Sequence, residues 1–350
     1  ANFGICPRSS AIFWIPPRTD GVAHFALANY WKFKNSALVL LVASYRNMTG
    51  NLISRRAIKF TESDALTISL PHEVGLEQGG SVEFEALAAD DIRIPYAAIM
   101  AIYETEHSIS MVHSYTRSYS NWEIEEQRTI SDGHEGCWTL RDNSEIYSFA
   151  VMHNGAIPQP AQVAIIEVQN SLGKKICKQV NIPRLNKYET LIIKPADYIP
   201  DLVSFLGGQP GSATLNFSLK GAFTRLLLGW RSTSTNQLQV THSNFNYSIH
   251  ETDLVEGQNK ELAYMKLPIT PFPSRAVIYP EFTPGQYQLQ AYDQYHIPQN
   301  SVQLRSARII IAGSTLEFCR LDGALPSRIV TALERDTTSG KEVIPCECSL

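Results

Sequence analysis

The chain repeats itself, and this restricts what it can fold into more than any motif it carries. Trp14 finds a counterpart in Trp138 at an offset of 124, and Phe25 finds one in Phe149 at the same offset. Asn29 matches Asn154 at 125, and Gly50 matches Gly173 at 123. The pairs Gly79-Gly80 and Gly207-Gly208 follow at 128, then His113-Ser114 and His242-Ser243 at 129. An ordered series with so little drift reads as the duplication of a whole domain-sized unit. We expect homologous modules over 1–125 and 126–252, and a third, shorter or diverged, over 253–350.

Within each module the apolar runs are short and separated by turn residues. They are rich in Val, Ile, Leu, Tyr, Phe and Thr, which favours strands. In Ile109–Ser120 the odd positions are Ile, Met, His, Tyr, Arg and Tyr, while the even ones are mainly Ser, Val and Thr. A two-residue period of this kind places the bulky groups on one face of a strand. The expected fold is all-β, a series of tandem β-sandwich modules. Helical pattern is limited to Ala196–Phe205, stopped by Gly207, and to a candidate short helix at 326–334. Polar, charged linkers are expected at 121–136 and 250–259, with each module folding nearly alone.

The second module carries Cys137-Trp138, and both modules carry the strand pattern ending in Asn29 or Asn154. Ile94-Pro95 and Val112-His113 with Arg117 complete a set that resembles the sensory-rhodopsin-transducer type of β-sandwich module. That resemblance implies small sandwich subunits that assemble into oligomers and bind partner proteins, with no catalytic residue. Cys precedes Trp only in the second module.

Composition narrows the function classes. Charged residues make up 18% of the 350, against roughly 25% in an average soluble domain, and the net charge is -4. Without a basic excess, no nucleic-acid partner is expected. No apolar run is long enough to span a bilayer as a helix. Sequons at Asn47, Asn216 and Asn246 fit a secretory route, although such triplets also arise by chance, and the localisation leans extracellular or cell-surface.

No HExxH pair, GxSxG elbow or phosphate-binding loop is present, and no CxxC pair occurs among the six cysteines. We therefore expect no cofactor, no metal and no catalysis. Three readings follow. The first is a non-catalytic structural or interaction protein, with protein partners or self-assembly. The second is a carbohydrate-binding protein using Trp31 and Trp122, which lack repeat counterparts, as exposed platforms. The third is a hydrolase or metal enzyme centred on His134, Glu135 and Cys137. His113 and His242, which recur at one place in the repeat, are candidate binding residues. The plainer account of them is a structural hydrogen bond.

Overall fold

The computed structural model describes residues 8–29, 31–32, 39–58, 65–69, 75–88, 99–119 and 130–245, and the strands of the C-terminal region. The described residues are all-β and antiparallel, with short helical segments between strands. Module 1 contains β1 (Arg8–Ile15), β2 (Val22–Ala28), β3 (Val39–Asn47), β4 (Leu52–Ile58), β5 (Ala65–Ser69), β6 (Gly80–Ala88), β7 (Ile99–Glu104), β8 (Ile109–His113) and β9 (Thr116–Ser118). Module 2 contains β10 (Ile130–Leu140), β11 (Ile146–His153), β12 (Gln162–Gln169), β13 (Lys175–Ile182), β14 (Thr190–Ile193), β15 (Gly211–Lys220), β16 (Ala222–Thr224), β17 (Leu227–Ser232), β18 (Leu238–His242) and β19 (Asn244–Phe245). The third contains β20 (Ala263–Lys266), β21 (Ser274–Ile278), β22 (Tyr287–Asp293), β23 (Pro298–Leu304), β24 (Ile309–Gly313), β25 (Leu316–Gly323), β26 (Thr331–Asp336) and β27 (Val343–Glu347).

One strand order recurs three times. The first sheet of module 1 runs β9-β1-β6-β3-β4, and its second runs β5-β2-β7-β8. Module 2 repeats these as β19-β10-β15-β12-β13 and β14-β11-β17-β18. The C-terminal strands repeat the eight-stranded part as β20-β25-β22-β23 and β24-β21-β26-β27. The helix expected at 326–334 is corrected here, because β26 occupies 331–336 and pairs on both sides with β21 and β27. Its apolar and polar residues satisfy a strand period equally well, and cross-strand pairing decides between the two. The other expected helix forms in two pieces, α1 (Pro195–Tyr198) and α2 (Leu202–Leu206). The second is capped by Gly207 at φ 60, where a left-handed residue is required.

The ladder fixes which residues are equivalent, and it corrects the sequence alignment by one residue. Asn47 and Asn170 open matching turns, each accepting from the glycine three residues on and each holding a backbone N–H with its side chain. Arg46 pairs with Ser81, which pairs with Trp14; Gln169 pairs with Ser212, which pairs with Thr139. Trp14 therefore corresponds to Thr139, and Phe13 to Trp138. By the same route through His113 and His242, His24 corresponds to Phe149 and Phe25 to Ala150. Gly80 corresponds to Gly211, and Gly207-Gly208 belongs to the helix end that module 1 lacks among its described residues. A slip of one residue reverses every side chain in a strand. Phe13 and Trp138 thus fill the cores of their own modules, while Trp14 and Phe149 meet each other across the modules, ring centroids 5.5 Å apart.

The first two modules do not fold as separate beads. β16 leaves module 2 and pairs with β9, so that the first sheet of module 1 has six strands. Phe149, Val151, Leu227, Leu238 and Val240 of module 2 belong to the same buried cluster as the core of module 1. The expected linker at 121–136 is in part strand, since β10 begins at Ile130. Residues 121–129 and 250–259 lie outside the described residues.

Candidate functional site

The densest polar chemistry among the described residues lies along this seam. Trp14 N–H donates to the Tyr115 hydroxyl at 2.9 Å, and that hydroxyl meets His153 Nε2 at 3.0 Å. His153 Nδ1 meets Thr190 Oγ1 at 3.0 Å. The chain joins β1, the β8–β9 corner, β11 and β14. Burial holds His153 neutral, lowering its pKa to about 3, and pushes the Tyr115 and Tyr103 hydroxyls up. Tyr115 and His153 are each 1% exposed, so no substrate reaches them; the chain satisfies polar groups that the seam has taken from water.

An ionic cluster closes the outer face of the first sheet. Glu83, 1% exposed, is bonded by Arg8 at 2.9 Å, by Arg46 at 3.0 Å and by the Ser118 hydroxyl. Arg46 stacks on Tyr188 of module 2, 3.8 Å from the ring centroid. Tyr188 has φ 59, a left-handed value uncommon for an aromatic residue. Beside it, Thr190 N–H donates to Met48 O at 2.9 Å, so the β13–β14 loop is fastened to the β3–β4 turn.

The recurring His-Ser pairs do two jobs. Ser114 Oγ bonds both backbone groups of Ile99, and Ser243 Oγ accepts from Leu226 N–H, tying each corner to the start of the preceding hairpin. Each imidazole places Nδ1 against the carbonyl of the next residue, Ser114 at 2.8 Å and Ser243 at 2.7 Å. The two Nε2 atoms meet at 2.7 Å, so that equivalent residues of two modules touch each other. Beside them a cavity of about 50 Å³ is lined by His113, Tyr115, Arg117, Phe223 and Arg225, together with Ser114 and Thr116.

The remaining sequence candidates fare differently. Trp31, expected to be an exposed contact, is 1% exposed and belongs to the module 1 core, so it offers no platform. Lack of a repeat counterpart marks a residue as unique, not as exposed. Trp122 lies outside the described residues. His134, Glu135 and Cys137 sit on β10, at positions paired or bulged against β15, and not in a loop; their side chains are outside the description. Cys177 is an exposed thiol whose pKa is pushed up by partial desolvation and by Glu167. Among the described residues no group of three or more metal-ligating side chains comes together, and no helix is long and apolar enough to cross a membrane. Sequence reading missed Arg8, Arg46, Glu83, Tyr115 and His153, because their partners lie 35 or more residues away and carry no local spacing signal.

What the fold and seam define is an all-β protein of repeated sandwich modules, two of which are locked by a shared sheet and a shared core. Comparison with family models, with curated proteins and with solved structures finds no match.

Proposed function

We propose that the chain is a non-catalytic structural or interaction protein whose sandwich modules serve self-assembly. One observation carries this. The outer face of the second sheet is buried in module 2 and open in module 1. In module 2 that face holds Phe149, Leu238 and Val240, which are buried. The equivalent positions in module 1 are His24, Ile109 and Met111, and the last two are 65% and 58% exposed. Val22 on the same face is 49% exposed. Glu104 stands between Val22 and Ile109, and exposed apolar side chains grouped on one face like Ile109 and Met111 mark interaction surfaces. The occupant we assign is a module of a second copy, because the seam shows how a module of this design covers that face. The resemblance to oligomer-forming transducer-type modules points the same way, and the cell surface is the compartment proposed for such an assembly.

Light scattering over a range of concentrations tests the reading. Self-association is expected for the native chain and is expected to disappear in the Ile109→Glu/Met111→Glu variant with its thermal unfolding unchanged. A strict monomer at all concentrations, or association indifferent to the double substitution, overturns it.

A further inference from the structure

We infer that the second copy covers the Ile109–Met111 face of module 1 with Val163 and Ile165 of its own module 2, so that copies join head to tail. The inference rests on the assembly reading above and names the other half of the contact.

Exposure singles out the two halves. Among the described residues, only β8 and β12 carry two exposed large apolar side chains two positions apart, Ile109 with Met111 and Val163 with Ile165. The strand period sets the members of each pair about 7 Å apart on one face. Ser110 and Ala164 between them are buried, so both pairs lie on the outer faces of their sandwiches. Around Val163 and Ile165 the ladder places Asn181, Gln179 and Asn216, all uncharged. Covering that strip takes none of these as an ion out of water, and two such faces can pack as the layers of a sandwich do.

The surface used in the seam is not available for a second contact. Inside the chain the outer face of module 2 is met by Trp14 of module 1, which is thereby buried. Its counterpart in module 2 is Thr139, which offers no ring. The strip on β12 is the exposed apolar pair that module 2 presents instead.

Charge decides which strips meet. Glu104 stands opposite Ile109, beside His24, and Glu106 lies in the same hairpin beside His107; both carboxylates are exposed. Lys174, Lys175 and Lys178 are exposed along β13 and its turn, with Glu167 paired to Lys175. Two copies meeting through Ile109 and Met111 alone would set Glu104 and Glu106 against their own duplicates. Ile109 and Met111 against Val163 and Ile165 instead brings carboxylates toward lysines. The contact then joins two different patches, and one of each stays free at the ends unless a ring closes.

Light scattering on two variants of the full chain, alone and mixed, tests it. Val163→Glu/Ile165→Glu keeps the module 1 strip, and Ile109→Glu/Met111→Glu keeps the module 2 strip. Each is expected to be monomeric alone, with its thermal unfolding unchanged. The equimolar mixture is expected to form a dimer of one copy of each and to grow no further. If Val163→Glu/Ile165→Glu associates as strongly as the native chain, or the mixture stays monomeric, head-to-tail joining is overturned while the assembly reading stands. A monomeric native chain, or association that persists in Ile109→Glu/Met111→Glu, overturns the assembly reading and this inference with it. Ile165→Glu alone keeps the test valid should the double variant on β12 fail to fold.

Discussion

Modules 1 and 2 share a strand order yet put the same face to opposite uses. On β18, Leu238 and Val240 are 1% and 2% exposed; on β8, the equivalent Ile109 and Met111 are more than half exposed. The first sheet differs in the same way. In module 1 its outer face carries Arg8, Arg46 and Glu83 under a loop of module 2, while in module 2 Val163 and Ile165 of the outer face are 57% and 48% exposed. The difference teaches that burial in a repeat protein belongs to the position of the module in the chain and not to the module itself.

Four measurements break or sharpen this comparison. The largest effect is expected at Glu83. Glu83→Ala leaves Arg46 buried without its carboxylate and Arg8 with Glu85 alone, and is expected to cost about 3–5 kcal/mol by chemical denaturation. Thr214→Ala, at the equivalent position on β15, is expected to cost no more than about 1 kcal/mol. Equal losses would mean that the ionic cluster does not hold the seam.

Next come Leu238→Ala, expected to lose about 2–5 kcal/mol, and Ile109→Ala, expected to stay within about 0.5 kcal/mol in the monomer. The third pair is Gly50 and Gly173, equivalent turn glycines at φ 83 and φ 78. A Cβ on Gly50 would lie 2.0 Å from Lys187 O, whereas one on Gly173 meets only the Gln169 side chain at 3.6 Å. Gly173→Ala is expected to cost about 1 kcal/mol for its left-handed backbone, and Gly50→Ala clearly more, because the module 2 loop must move.

The smallest effect per unit is that of pH. His153 is neutral in the folded chain down to about pH 3, whereas the unfolded chain takes up a proton near pH 6.5. Below 6.5 the unfolded state binds the extra proton, so its stabilising contribution, complete above that pH, declines as pH falls toward 3. The slope is at most about 1.4 kcal/mol per pH unit. Replacing His153 with Gln is expected to flatten that part of the stability curve, and an unchanged curve would place the acid sensitivity elsewhere.

Much of the fold was legible. Alternation in Ile109–His113 became the exposed-buried alternation of β8, and the polar turns at Gly50 and Gly173 became matching hairpins. The repeat itself was legible, but its register was not. Two aromatic residues, Trp14 and Trp138, suggested an offset one residue short, and only the ladder through Ser81 and Ser212 corrected it. The seam was legible only at His113 and His242. They recur for a local reason, the corner that each His-Ser pair closes, and their meeting with each other depends on how the modules dock.

The amino-acid order alone determined the β class, the turns and the duplication, because strand period and turn chemistry act between near neighbours. Tertiary structure decided which faces became core, seam or surface. Those assignments arise where strands far apart in the chain exclude water from the same space, and the residues that share it, such as Tyr115 with His153 and Arg46 with Tyr188, bear no fixed spacing to one another.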